Sequence, residues 1–229
     1  MKPAFWARRA HKWIALVVGV QALLWMLSGL YMTSISIDVI HGDHLAHTRA
    51  KPLTMTPVLD PATLSARYPD LSSFRLKQWM DREVYELHYG DKTALVDARS
   101  GAQLSPLADA TARRLAQSLY QGKAPILSAE LITQAPQEVA TRPVPMWRVE
   151  FADSNETTLY LSPHTGELLA KRHDLWRWFD FLWMFHIMDY EERSDVNNTL
   201  LRIAASLGLV FALSGLWLLF YSFSRRRAA

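Results

Sequence analysis

Cysteine is absent from this sequence of 229 residues. The absence excludes disulfide bonds, iron–sulfur clusters held by thiolates, and cysteine nucleophiles. It also fits a chain that faces an oxidising compartment such as the bacterial periplasm, where an unpaired thiol is a liability. Any chemistry must therefore use other side chains, and the eight histidines are the strongest candidates.

Signatures of common enzyme classes are missing as well. The sequence contains no Gly-x-Ser-x-Gly elbow, no His-Glu-x-x-His zinc helix, no P-loop and no Gly-x-Gly-x-x-Gly. It also lacks a stripe of Lys and Arg with interleaved aromatic residues, which excludes an evident nucleic-acid interface. No hydrolase or kinase activity is indicated, and a part in an oxidoreductase system is left open.

Charged residues are missing from two long segments, residues 13–37 and 203–223. About 20 apolar residues in a helix cross a hydrocarbon core of roughly 30 Å, so each segment is long enough to span a membrane. The first is longer than the apolar stretch of about 7–15 residues in a cleaved signal peptide, and no clear small-x-small cleavage site follows it. Two transmembrane helices are predicted.

Acidic residues are missing from both tails, which together carry seven Lys and Arg residues. Because basic residues stay on the cytoplasmic side, both termini are predicted on the cytoplasmic side of a bacterial inner membrane, and the central domain is predicted in the periplasm. Removing these seven charges from the formal +3 leaves −4 for the remainder. The high pI therefore reflects membrane topology.

The segment between the spans contains an internal repeat, at 84–104 and again at 147–169. Each copy has an alternating strand, a polar turn, a second alternating strand, and a turn that closes on Gly101 or Gly166. A glycine at that place is typical of a turn that needs a positive φ. Helical segments at 60–68 and 109–121 precede the strands. The predicted fold is two membrane helices plus an α+β domain of tandem helix-plus-antiparallel-sheet repeats.

The predicted organisation has eight segments along the chain. They are a tail (1–12), transmembrane helix 1 (13–37), a juxtamembrane connector (38–56), repeat 1 (57–122), repeat 2 (123–172), an amphipathic aromatic helix and turn (173–198), transmembrane helix 2 (199–223) and a second tail (224–229).

Several motifs resemble one known family. Val-Asp-Ala-x-x-Gly at 96–101 and Leu-Ser-Pro-x-x-Gly-Glu-Leu at 161–168 resemble the ends of PepSY domains. His11-Lys12-Trp13, Phe185-His186 and Leu-Ser-Gly-Leu at 27–30 and 213–216 resemble the PepSY-associated transmembrane proteins. In longer four-span relatives, including siderophore-iron reductases, membrane histidines are thought to hold b-type haem. The resemblance therefore implies haem b as a cofactor and His186 as a ligand.

His186 also stands out by its position. A helix at 174–190 places it on a face with four aromatic residues, Trp176, Phe179, Trp183 and Tyr190. Such a face is either an interfacial aromatic belt or a pocket suited to axial haem ligation. His11 lies at the other membrane face, roughly 30 Å away, so one haem cannot bridge the two. His186 needs an outer-side histidine or His186 of a second copy, and His11 needs a ligand from another chain.

His41 and His44 follow the first span at a spacing of three. If the helix continues past the membrane, they share a face near Asp38 and could bind a divalent metal, or one could meet His186 across a haem. The alternative is a solvated turn that also includes His47. Ordinary surface roles are expected for the remaining histidines, His88, His164 and His173.

The sequence supports three alternative hypotheses of function. The first is an accessory or electron-transfer subunit of a membrane redox system related to iron reduction. The second is a non-enzymatic periplasmic module that restrains a peptidase or binds another partner by strand addition. The third is a scaffold whose pairs Ser28-Gly29 and Ser214-Gly215, at different depths, contact other helices. The expected partners are the lipid bilayer and one protein, which is either another membrane or periplasmic protein or a second copy of this chain.

The charged stretch 189–195 is interpreted as a solvated turn, a docking patch or an ion-paired bracket.

Overall fold

A computed structural model describes residues 3–46, 52–54 and 58–224. The helices are α1 (Pro3–Ser34), α2 (Ile37–Ile40), α3 (Pro61–Arg67), α4 (Asp109–Leu119), α5 (Asp174–Ile187) and α6 (Thr199–Ser224), with a 3₁₀ turn at Gln137–Val139. The strands are β1 (Leu71–Trp79), β2 (Arg82–Tyr89), β3 (Lys92–Asp97), β4 (Ile126–Ile132), β5 (Met146–Phe151), β6 (Thr158–Leu161) and β7 (Leu168–Arg172).

The chain divides into two compact units. The membrane unit contains the residues up to Ile37 and those from Trp178 onwards, and the globular unit contains 38–177. Each is described separately. Together they confirm the predicted class of two membrane helices plus an α+β domain.

α1 and α6 are the membrane-spanning helices. The stretches Arg8–Ser34 and Thr199–Leu219 are long and apolar enough to cross a bilayer. Their apolar side chains remain exposed: Leu16 is 69% exposed, Val17 73% and Leu216 62%. A buried core helix of a soluble protein would cover such side chains, whereas lipid accommodates them. The two helices pack against each other, and Gly208 gives room for the ring of Trp25.

The first half of the globular unit is a short helix followed by a three-stranded antiparallel meander, β1-β2-β3. Asp60 caps α3 by accepting the N–H of Ala62, and Pro61 occupies the first turn, where no N–H is needed. One face of the sheet packs on α3 through a cluster that includes Leu64, Tyr85, Leu87 and Val96.

The second half repeats this plan with a four-stranded meander, β4-β5-β6-β7. α4 packs on β4, β5 and β6 with its buried residues Ala112, Leu115 and Ala116. The predicted repeat boundaries stay predictions, but α4, which falls within 57–122, packs on the second sheet. A shared cluster that includes Val84, Leu95, Val149 and Leu161 joins the two halves; with α4 it forms the main core.

Gly101 and Gly166 adopt φ values of +69° and +64°, as the repeat pattern predicted. A side chain at Gly166 would also collide with the indole of Trp79. Strands β1, β4 and β7 were not predicted. Each lies at a sheet edge, and its exposed and buried residues do not alternate along the strand as they would in a half-buried strand.

Candidate functional site

The C-terminal end of α5 lies alongside the middle of α1. Gln21 Nε2 donates to the carbonyl of Phe185 at 3.2 Å, and Trp25 Nε1 donates to the carbonyl of His186 at 2.8 Å. The last carbonyls of a helix have no partner within it, and leaving them unpaired in an apolar environment is costly. These two polar side chains of the first span therefore hold the end of α5 in place.

His186 is the side chain that this docking positions. Its Nδ1 lies 2.9 Å from Ser28 Oγ, and its ring stacks on Trp183 at 6.2 Å. A Cβ at Gly29 would lie 3.8 Å from His186 Cε1, so the ring covers the small residue beside the serine. Ser28 lies six residues before the end of α1 at Ser34, which corresponds to about 9 Å along the helix.

His11 has the same surroundings near the other end of α1. Its Nδ1 lies 2.7 Å from Ser214 Oγ in α6, and its ring stacks on Phe211 with centroids 4.8 Å apart. A Cβ at Gly215 would lie 3.4 Å from His11 Cε1. In both sites, the Nε2 atom of the histidine has no hydrogen-bond partner among the residues that the structure describes.

The two Leu-Ser-Gly-Leu motifs therefore have a common role that their sequences do not reveal. The expectation that the two Ser-Gly pairs serve other helices takes a specific form: Ser28-Gly29 contacts His186 of α5, and Ser214-Gly215 contacts His11 of α1. No local pattern could have found these pairs, since 158 and 203 residues separate their members.

The two histidines lie far apart along α1. From His11 to Ser28, the residue that contacts His186, α1 advances 17 residues, or about 26 Å at 1.5 Å per residue. One planar cofactor cannot reach both imidazoles. Each site also presents a single histidine within the described part of the chain, so a two-histidine site needs a ligand from elsewhere.

The charged stretch between α5 and α6 forms an ion-paired bracket. Arg193 pairs with Asp180 of α5, and its carbonyl accepts the indole N–H of Trp183 at 3.1 Å. Asn198 donates to the carbonyl of Ile187 and caps the first turn of α6.

Asp189 shapes the turn within this bracket. Its carboxylate accepts the backbone N–H groups of Asp195, Ser194, Glu192 and Glu191. These hydrogen bonds, the one from Asp195 foremost, lower the pKa of Asp189. Of the three interpretations of the stretch, the bracket matches this geometry.

His41 and His44 do not share a helix face, which corrects the conditional prediction of a metal-binding pair. α1 ends at Ser34 and α2 at Ile40, and Gly42 turns the chain with φ of +69°. Both side chains are exposed. Across the described residues, no group of three or more His, Asp and Glu could hold a metal ion. His47 lies outside the described residues.

His173 is not a surface residue, so that prediction was wrong. It is 1% exposed, and its Nε2–H donates to the carbonyl of Ile40 at 3.0 Å. Burial lowers the pKa of His173, although the hydrogen bond to Ile40 opposes the shift. The ring also packs against Gly42 and meets His44 edge-on. Sequence reasoning missed this because Ile40 is 133 residues away.

Comparison with known proteins identifies the family. The family described as the PepSY-associated TM region matches residues 8–229, which is nearly the whole chain. No curated protein and no solved structure matches the chain significantly. Both spans, the two repeats of the globular unit and both histidine sites fall within the matched range. The chain belongs to the PepSY-associated transmembrane family.

Proposed function

We propose that this protein is an accessory electron-transfer subunit of an inner-membrane redox system of the iron-reduction type, and that it binds b-type haem through His186. One observation carries the proposal. His186 is held through Nδ1 by Ser28, and its Nε2 has no partner among the described residues. An imidazole fixed by one nitrogen, with the other nitrogen available, suits axial ligation.

The residues around His186 fit this group. Trp183 stacks on the imidazole, and the neighbouring apolar side chains of α1 and α5 give the low-polarity surroundings that tune a haem potential. His11, with Ser214 and Phe211, offers the equivalent donor near the other end of α1. When bound, the haem supplies one-electron transfer between ferric and ferrous iron. The protein orients the ligand and excludes water.

A second axial ligand is needed at each site. His11 lies at the predicted cytoplasmic face, and the sequence contains no other histidine predicted on that side. A second copy of the chain would supply the missing histidine to both sites at once, so we propose a homodimer.

Haem content tests the proposal. Protein purified in detergent from haem-sufficient cells should show a b-type absorption spectrum, and the His186→Ala variant should lose the part of it that comes from the site at His186. His164→Ala is the matched control, because His164 is an exposed residue in a turn of the globular unit. A colourless, fully folded wild-type preparation would contradict haem binding.

The proposed orientation places both termini in the cytoplasm and the globular unit in the periplasm. The basic tails support it. Because the chain has no cysteine, Lys123→Cys in the globular unit and Ala229→Cys in the tail can be labelled without background. A membrane-impermeant maleimide should label Lys123→Cys in spheroplasts and Ala229→Cys after lysis only. The reverse pattern would overturn this orientation.

A non-enzymatic binding role is the second candidate, and one observation favours it. The edge strands β1 and β4 expose apolar side chains, namely Phe74, Leu127 and Leu131. An extended segment of a periplasmic partner such as a peptidase could pair with such an edge. A photo-crosslinking residue at Leu127 of the full-length protein should then capture one partner in cells. Capture of the same partner at the same yield by a photo-crosslinking residue at the exposed position Lys123 would argue against a specific contact with the strand edge.

A further inference from the structure

Ser28 can give its hydroxyl proton to one atom only. Its Oγ lies 2.7 Å from the carbonyl of Leu24 and 3.2 Å from that of Trp25, in the back-bonded geometry of a serine within a helix. Two oxygens 2.7 Å apart repel each other unless a proton lies between them, and a carbonyl has no proton to give, so the hydroxyl proton points to the carbonyl of Leu24. The short contact between Ser28 Oγ and His186 Nδ1 then requires that Nδ1 carries the proton and donates it.

The same count applies to Ser214. Its Oγ lies 2.7 Å from the carbonyl of Phe211 and 2.7 Å from His11 Nδ1. One hydroxyl proton cannot serve both contacts, and the carbonyl has none to offer. His11 Nδ1 is therefore also the donor. A neutral imidazole carries one proton, so in both histidines the Nε2 atom has the lone pair.

We infer that Ser28 and Ser214 are positioning residues that fix His186 and His11 in the Nδ1–H tautomer and present both Nε2 lone pairs for ligation. The assignment of the tautomer depends on the hydrogen-bond network alone. The role of the lone pair as an iron ligand rests on the proposed function. Two unrelated stretches of α1 and α6 thus perform one task with one motif, Leu-Ser-Gly-Leu.

Substitutions at Ser28 separate this role from a structural one. Ser28→Ala removes the acceptor for Nδ1–H, so either nitrogen of His186 can then carry the proton. Ser28→Thr keeps the acceptor, and Thr33 shows that a threonine in α1 adopts the same back-bonded geometry, with Oγ1 3.0 Å from the carbonyl of Gly29. Ser206→Ala is the matched control, because Ser206 back-bonds to Arg202 in α6 without contacting a histidine.

The tautomer is measured by ¹⁵N NMR of haem-free, full-length protein labelled at histidine, with His186→Gln and His11→Gln variants to assign the signals. We expect the unprotonated nitrogen of both residues to be Nε2 in the wild type, the Ser28→Thr variant and the Ser206→Ala variant. In Ser28→Ala, only His186 should change to a mixture of tautomers. A protonated Nε2 in the wild type, or an unchanged His186 in Ser28→Ala, would overturn the inference.

Haem binding gives a second, separate readout. Loss of the hydrogen-bond partner of a metal-ligating histidine typically weakens affinity by about 10- to 100-fold. Ser28→Ala should weaken haem affinity in that range, and Ser28→Thr should restore it. Absence of haem from every variant would count against the proposed function but leave the NMR result standing. A haem-loaded Ser28→Ala variant with unchanged affinity would overturn the positioning role.

Discussion

His173 of the globular unit and the two histidines of the membrane unit are held by opposite nitrogens. In the membrane unit, His186 and His11 use Nδ1 to contact a serine hydroxyl, and Nε2 is left without a described partner. In the globular unit, His173 uses Nε2–H to bind the carbonyl of Ile40 inside a packed core. The nitrogen that is bound decides which nitrogen of a neutral imidazole keeps a lone pair, and for His173 that remaining nitrogen lies in a ring that is 1% exposed.

Burial alone would rank His173 above His186 and His11 as a candidate functional residue. His173 is the most deeply buried of the three, and its pKa is lowered, features that often point to a functional site. Its contacts, however, join the turn after α2 to the start of α5, and this structural task uses the Nε2 atom. In the less buried His186 and His11, Nε2 has no partner among the described residues.

The His173→Ala substitution should have the largest effect, which is a loss of folding stability. The change removes a packed ring and leaves the carbonyl of Ile40 unpaired, and we expect a loss of about 2–4 kcal/mol in the free energy of unfolding. Thermal unfolding of the purified protein measures it. His44→Ala is the control, since His44 is exposed and its ring lies T-shaped to that of His173 with centroids 5.9 Å apart. A stability equal to that of the control would remove the structural role of His173.

Two glycines beside the histidines give a matched pair with smaller effects. Gly42→Ala places a side chain at φ of +69°, 3.3 Å from His173 Cδ2, and should destabilise the protein by about 1–2 kcal/mol. Gly29→Ala sits in a helix, 3.8 Å from His186 Cε1, and should be tolerated or stabilise α1 by about 0.5–1 kcal/mol. The unfolding temperature of Gly42→Ala should therefore be lower than that of Gly29→Ala. The opposite order would show that the Gly29 site is the tighter one.

The smallest effect is the pH dependence from His173. Its pKa in the folded state is lowered below the ordinary value of 6.5, so below that pH the unfolded chain binds more protons than the native state. This contribution to stability is constant above about pH 6.5 and is lost as the pH falls towards the folded-state pKa. The unfolding temperature of the wild type between pH 8 and pH 5 should therefore fall more than that of His173→Gln. An equal fall of the unfolding temperature in both proteins would mean that the pKa of His173 is the same in the folded and unfolded states.

Local features of the sequence predicted much of the fold, because spans, repeats and turn glycines leave local patterns. The charge-free segments became α1 and α6, and Gly101 and Gly166 have the expected positive φ. Contacts between distant residues had no such signal. The burial of His173 depends on Ile40, and the docking of α5 depends on Gln21 and Trp25 in a span that reads as uniformly apolar.

The sequence singled out two histidines of the membrane unit, but not the contacts that hold them. His186 and His11 stood out by resemblance and position, while the serines that bind them were assigned to contacts between helices. Hydrogen-bond geometry was needed to connect the two observations, because a tautomer depends on an acceptor that lies 158 or 203 residues away.

Haem binding by the two membrane-unit histidines is tested by the haem-to-protein ratio of four preparations: wild type, His186→Ala, His11→Ala, and His173→Gln held at a temperature where it stays folded. Each of the two membrane-unit variants should have a lower ratio than the wild type, because each removes one of the two sites, while His173→Gln should keep the wild-type ratio. A wild type without haem, or a ratio that falls in His173→Gln and stays unchanged in His186→Ala, would contradict it.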